Sequence, residues 1–151
     1  MARVFEVTID PAWVQPIATA AAALGDTFKC NAAAVQSGRP ELTFPSATEV
    51  QAFMDSDVHD VIICHDGPDL DGYLIVKDVE DGALGRWVGV FLQAGQIAPV
   101  YRGMLDLPVA QYGWVRGRIT NDALREWLRV NIPGTIDPID PQIIRYGSVP
   151  T

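Results

Sequence analysis

Between Leu84 and Asn121 the chain gathers the residues best suited to holding an anion. Pro99-Val100-Tyr101-Arg102-Gly103 stands between the apolar runs Trp87 to Leu92 and Tyr112 to Ile119. A strand that opens into a loop with arginine and glycine, just ahead of another strand, presents main-chain N–H groups to a negative ligand. Local charge points the same way. From Arg102 to Arg129 five arginines face Asp106, Asp122 and Glu126, a local +2 in a chain of formal charge −8, which leaves −10 on the other residues. Trp114, Arg116 and Arg118 alternate along one strand face beside this connector, where they could stack on and pair with a ligand or a partner protein. Core packing is the default for Trp114, as for Trp13, Trp87 and Trp127. Arg125 and Arg129 read most simply as a solvated helix face.

Two other groupings resolve into plain structure. Cys64-His65-Asp66 holds a nucleophile, a base and an acid in order, but adjacent strand residues point to opposite faces and cannot relay a proton. The triplet reads as a strand end running into a turn. His59, His65, Asp66, Asp69 and Asp71 carry metal-capable atoms. Their spacing lacks the glycine and terminal glutamate of a calcium loop, and two histidines six apart fit no zinc pattern, so no metal site is expected. Cys30 and Cys64 have neither the spacing of a zinc knuckle nor that of a disulfide framework, and reduced thiols in the cytoplasm are the expectation.

Composition bounds the rest. A chain of 151 residues with 48% hydrophobic side chains is read as one domain, residues 1–151, large enough to bury a core without staples. Its acidity argues against nucleic acid or an anionic membrane as partner. No apolar run approaches the roughly 20 residues of a membrane helix, and no basic-then-apolar leader opens the chain.

The elements that must position these residues follow from periodicity. Val4 to Ile9 alternates as a half-buried strand with Phe5, Val7 and Ile9 on one face. Asp10-Pro11 offers a helix cap, and Trp13, Ile17, Ala21 and Leu24 recur at helical spacing, with Pro16 forcing a kink or a start near Gln15. Ser46-Ala47-Thr48-Glu49 is a capping box ahead of Val50, Phe53 and Met54. Val61 to Cys64, Tyr73 to Val79 and Trp87 to Leu92 read as a meander of strands, with a turn from Asp66 to Gly72. Thr120 or Asn121 caps a helix with Leu124, Trp127 and Leu128 inward, and Gln142 to Tyr146 is a terminal strand after the proline-rich connector Ile136 to Pro141. The class is α+β, a single domain whose mixed, mostly antiparallel sheet is flanked by helices.

That order of elements resembles the GCN5-related N-acetyltransferase (GNAT) superfamily, and three short stretches carry the likeness. Pro99 to Gly103 is similar to the proline, tyrosine, arginine and glycine that open the family's acetyl-CoA loop. Gly89-Val90-Phe91-Leu92 resembles the strand before it, and Ile119-Thr120-Asn121-Asp122-Ala123-Leu124 the fifth strand running into an asparagine. The resemblance implies a splayed strand edge at Gln96, Ile97 and on to Arg102 that takes the pantetheine arm. It further implies that Arg102 and Gly103 begin a phosphate cradle beside Tyr101, that Asn121 contacts the cofactor arm, and that an acid and a base serve transfer to an amine.

The chain also departs from that pattern. Met104-Leu105-Asp106-Leu107-Pro108 supplies no second glycine, and the helix expected next, Met104 to Gln111, contains Pro108. Trp127 and Leu128 stand where the family places a tyrosine acid, with Tyr146 a distant substitute. Two readings stay open: an N-acyltransferase using acetyl-CoA and an amine acceptor, or a non-catalytic scaffold on the same frame whose partners are proteins of an assembly such as a phage particle, and which is then virion-associated. A binder of some other phosphorylated small molecule is a third.

Overall fold

The computed structural model describes residues 3–24, 45–79, 82–90, 94–118, 122–131, 135–136 and 143–147. Seven strands form one sheet: β1 (Val4–Val7), β2 (His59–Asp66), β3 (Asp69–Val79), β4 (Gly82–Val90), β5 (Trp114–Arg118), β6 (Thr135–Ile136) and β7 (Ile143–Gly147). Their order is β1-β2-β3-β4-β5-β7-β6, antiparallel throughout except for β4 and β5. Helices α1 (Val14–Leu24) and α2 (Ala47–Asp55) cover one face, and α3 (Ala94–Tyr112) and α4 (Asp122–Asn131) the other. This is the mixed, mostly antiparallel α+β arrangement expected from the element order.

Strand alternation builds two cores from one sheet. Ile62, Cys64, Leu74 and Val76 pack with Val100, Tyr101, Met104 and Leu105 of α3 and Leu128 of α4. Their neighbours Val61, Ile63, Tyr73 and Ile75 meet Ile17 and Ala21 of α1 and Val50 and Met54 of α2. Local signals fix the ends of these helices. Asp10 accepts from the Ala12 amide at 3.0 Å and starts a 3-10 turn, Pro11–Trp13, that leads into α1 with Pro16 in its first turn. Ser46 and Glu49 close the capping box at 3.1 and 3.2 Å.

The main correction concerns residues 94–112. The sequence suggests an extended edge from Gln96 to Arg102 and a broken two-turn helix after it, whereas the chain forms a single helix with Pro99 and Pro108 inside. Each proline removes an amide that would have reached the carbonyl four residues back, Gly95 or Met104, at about 3 kcal/mol in an ordinary helix interior. Packing wins. Val100, Tyr101, Met104 and Leu105 recur at i, i+1, i+4 and i+5 and all bury, each contributing roughly 1.5–3 kcal/mol. Gly113, at φ +89°, ends the helix and donates its amide to Val109 O at 2.8 Å.

Smaller shifts have equally local causes. Tyr112 belongs to α3 rather than to β5, and its hydroxyl donates to Asp60 Oδ2 at 2.5 Å. The turn expected over Asp66 to Gly72 shrinks to Gly67-Pro68, because Gly67 takes φ +57° and β3 absorbs Asp71 as a bulge opposite Cys64 and His65. On β1 only Phe5 packs inward, while Val7 and Ile9 are 44% and 78% exposed, as the strand is at the sheet edge. The segment read as a proline connector contributes β6, and residues 137–142 lie outside the described residues. So do Cys30 and the rest of residues 25–44.

Candidate functional site

The sheet has one discontinuity. Among the described residues, parallel strands β4 and β5 pair only at Ala83↔Val115 and Leu84↔Arg116, after which β4 runs on through residues 85–90 with β3 still paired to its other edge. A bulge adjoins this fork. The β3–β4 register jumps from Ile75↔Trp87 to Val76↔Gly85, so Arg86 is an extra residue on β4, and such an insertion bends and twists its strand. At Gly85 the strands still touch, since a Cβ there would stand 3.6 Å from Arg116 O. The fork therefore has its base at Gly85 and Arg116 and opens toward Val90.

At the open end begins α3. The amides of Ala94, Gly95 and Gln96 in its first turn have no carbonyl within the helix, and they sit at the positive end of its dipole. Gly95 adds no side chain to keep a ligand from the backbone. From the base of the fork to the end of β4 the strand covers roughly 17 Å at about 3.3 Å per residue. Among the described residues no strand pairs with this edge of β4 beyond Leu84, and the first turn of α3 follows it, an arrangement that suits an extended ligand with amides along its length and a negatively charged end.

The residues expected at the site divide between this cleft and the core. Gln96 and Ile97 fall in the first turns of α3 beside the fork. Tyr101 is 5% exposed within the α3-side core. Gly103 lies where a Cβ would overlap the Phe5 ring of β1. Arg102 is exposed, and its Nη2 donates to the Asn131 carbonyl at 2.5 Å, tying α3 to the last turn of α4. The loop cradle expected at Arg102 and Gly103 is corrected on this geometry: both are mid-helix, where amides serve the helix ladder. Asn121 lies outside the described residues. The helix start at Ala94 and Gly95 was not expected. Its signal was a glycine directly after a strand, followed by the apolar spacing of Val100, Tyr101, Met104 and Leu105.

Other candidates are placed unambiguously. Cys64 points into the α3-side core, where burial first and the nearby Asp71 charge second push its thiol up to about 11. His65 points the other way. Its ring is 4.9 Å from that of Trp13, with Nδ1 3.0 Å from Gly67 O and Nε2 3.3 Å from Glu6 Oε1. The pair cannot exchange a proton. Tyr146 pairs with Val115 across β5 and β7 and is 9% exposed in the α3-side core. Trp114 is buried with its ring over Gly82, as a packing role requires. The side chains of Trp87 and Trp127 lie outside the described residues.

The sequence alone matches no protein-family model and no curated protein. The fold does find counterparts. The PaiA N-acetyltransferase of Thermoplasma acidophilum, solved with coenzyme A, superposes with a TM-score of 0.64 at 10% identity over 98% of this chain and 100% of that one. YncA of Salmonella typhimurium, solved with its cofactor acetyl-CoA, gives 0.64 at 10% identity over 97% and 94%. The ribosomal-protein-S18-alanine N-acetyltransferase of Escherichia coli gives 0.58 at 10% identity over 97% and 94%. With a sheet parted between its parallel pair and covered on both faces, the chain has the fold of the GCN5-related N-acetyltransferases.

Proposed function

We propose that the chain is an acyl-CoA-dependent N-acyltransferase that moves an acetyl group from acetyl-CoA to an amine. The observation that carries this reading is the fork: β4 and β5 pair for two residue pairs and then leave the β4 edge free, with the start of α3 beyond it. A free strand edge suits the amides of a pantetheine arm as an added strand. The amides of Ala94, Gly95, Gln96 and Ile97 suit a pyrophosphate, because helix N-termini present unpaired donors and partial positive charge together. Acetyl-CoA supplies the thioester. Residues 85–90 of β4 would hold its pantetheine arm along the strand, with Gly85 and Arg116 at the base of the fork beyond it.

Fold counterparts solved with coenzyme A and with acetyl-CoA support the same reading. Its test is a calorimetric titration with acetyl-CoA, followed by an assay of thiol release with primary amines. Saturable binding below a millimolar and amine-dependent release are the expected results. The absence of any acetyl-CoA binding removes the transferase reading and leaves the non-catalytic scaffold.

A further inference from the structure

Opposite the face covered by α3, the sheet carries two arginines that no carboxylate among the described residues answers. Val115, Ile144 and Tyr146 turn toward the α3-side core, so Trp114 and Arg116 of β5 and Arg145 of β7 occupy the other face. In the register Arg116 lies directly across from Arg145, and Leu84 at the base of the fork flanks Arg116 on its other side. Like charges directly opposite on neighbouring strands destabilise a sheet. Among the described residues no carboxylate relieves them: the ion pairs there join Arg3 to Asp71 and Arg129 to Glu126, and His65 Nε2 lies 3.3 Å from Glu6 Oε1. The Nε atoms of both arginines are shielded from solvent and donate to nothing, as does Trp114 Nε1. The Arg116 guanidinium stacks 4.4 Å from the centroid of the Trp114 ring, which holds its planar fork in one orientation.

We propose that Arg116 and Arg145 form a receptor for a carboxylate on the amine acceptor, making this a transferase for acceptors that bear an acid group near the amine. The inference rests on the acyl-transfer reading for the amine, and on the arginine geometry alone for the acid. Two arguments separate this receptor from the donor's seat. It is on the face away from α3, and roughly 17 Å of strand lies between the fork base and the end of β4, ahead of that helix. A paired guanidinium surface matches the planar two-oxygen geometry of a carboxylate. The acid group held there would sit beside Gly85 and Arg116, where the two strands begin to part.

The experiment is a calorimetric titration of the wild type with glutarate and with its uncharged diamide, glutaramide, at low salt. Acetyl-CoA is titrated separately. Glutarate is expected to bind at least tenfold more tightly than glutaramide. Arg145→Gln should abolish the difference while leaving the unfolding midpoint the same or higher, because it removes one of two facing like charges. Arg145→Lys, which keeps the charge and loses the fork, should weaken glutarate several-fold. Equal binding of the two probes, or an unchanged preference in Arg145→Gln, overturns the receptor. Glutarate preference without acetyl-CoA binding upholds the receptor and sinks the transferase; acetyl-CoA binding without that preference sinks the receptor alone.

Discussion

Gly103 of α3 lies against the Phe5 ring of β1 so closely that a Cβ at position 103 would overlap it. Phe5 is partly buried and packs on the α3-side core, so the ring has little room to withdraw. Gly103→Ala sets a gain of up to about 1 kcal/mol from helix propensity against overpacking of roughly 1–3 kcal/mol. Net destabilisation by denaturant titration is expected, and Phe5→Leu in the same chain should recover most of it. A Gly103→Ala variant as stable as the parent, or one that Phe5→Leu leaves just as destabilised, disposes of this packing account.

The same glycine shows where the sequence was readable and where it was not. Capping pairs are local, so Asp10-Pro11 and Ser46 to Glu49 could be read directly, as could the buried run Val61 to Cys64 between two neighbours. Periodicity gave the order of most elements and hence the fold class. It failed at residues 94–112, where two prolines and two glycines outweighed an apolar stripe whose worth depends on a sheet assembled from distant strands. That single misreading put the expected anion cradle at Arg102 and Gly103, which lie mid-helix, instead of at the start of α3 where it is proposed above. A splayed strand edge was expected from Gln96 to Arg102, whereas β4 and β5 stop pairing beyond Leu84 and Arg116; the neighbouring bulge, an extra residue at Arg86 in the register of β4 against β3, leaves no mark in a single strand's pattern.

Ser46 and Glu49 form a reciprocal pair at the start of α2, and Val50 and Met54 depend on that start for their position in the second core. Ser46→Ala removes one acceptor from an exposed helix end. A loss of about 1 kcal/mol is expected from chemical denaturation, and Ser46→Asp should restore most of it. Equal stability of all three proteins argues that tertiary packing alone holds α2 in place.

Cys64 makes stability depend on alkaline pH in a calculable direction. Its thiol is raised from 9.0 to about 11 by burial and by Asp71, so above pH 9 the unfolded chain releases a proton that the folded chain keeps. Stability from this group is full below pH 9 and is lost as pH rises toward 11, by up to about 3 kcal/mol at about 1.4 kcal/mol per unit. Urea midpoints measured from pH 8 to 11 should fall more steeply for the wild type than for Cys64→Ala. Parallel curves for the two proteins mean that the buried thiol titrates normally.

Gly95 offers a test of the proposed donor seat that leaves the fold alone. It lies in the first turn of α3, where an aspartate is favoured by the helix dipole, by about 0.3–1 kcal/mol at an exposed site. A carboxylate in that turn would also stand where an incoming pyrophosphate needs bare amides, adding both bulk and negative charge. Gly95→Asp is therefore expected to raise the acetyl-CoA dissociation constant at least tenfold with no fall in the unfolding midpoint. Gly95→Ala, which adds bulk without charge, should have a smaller effect, and raising the salt concentration should narrow the gap between the two variants. If Gly95→Asp binds acetyl-CoA as the parent does, the anionic end of the donor is held elsewhere than at the start of α3.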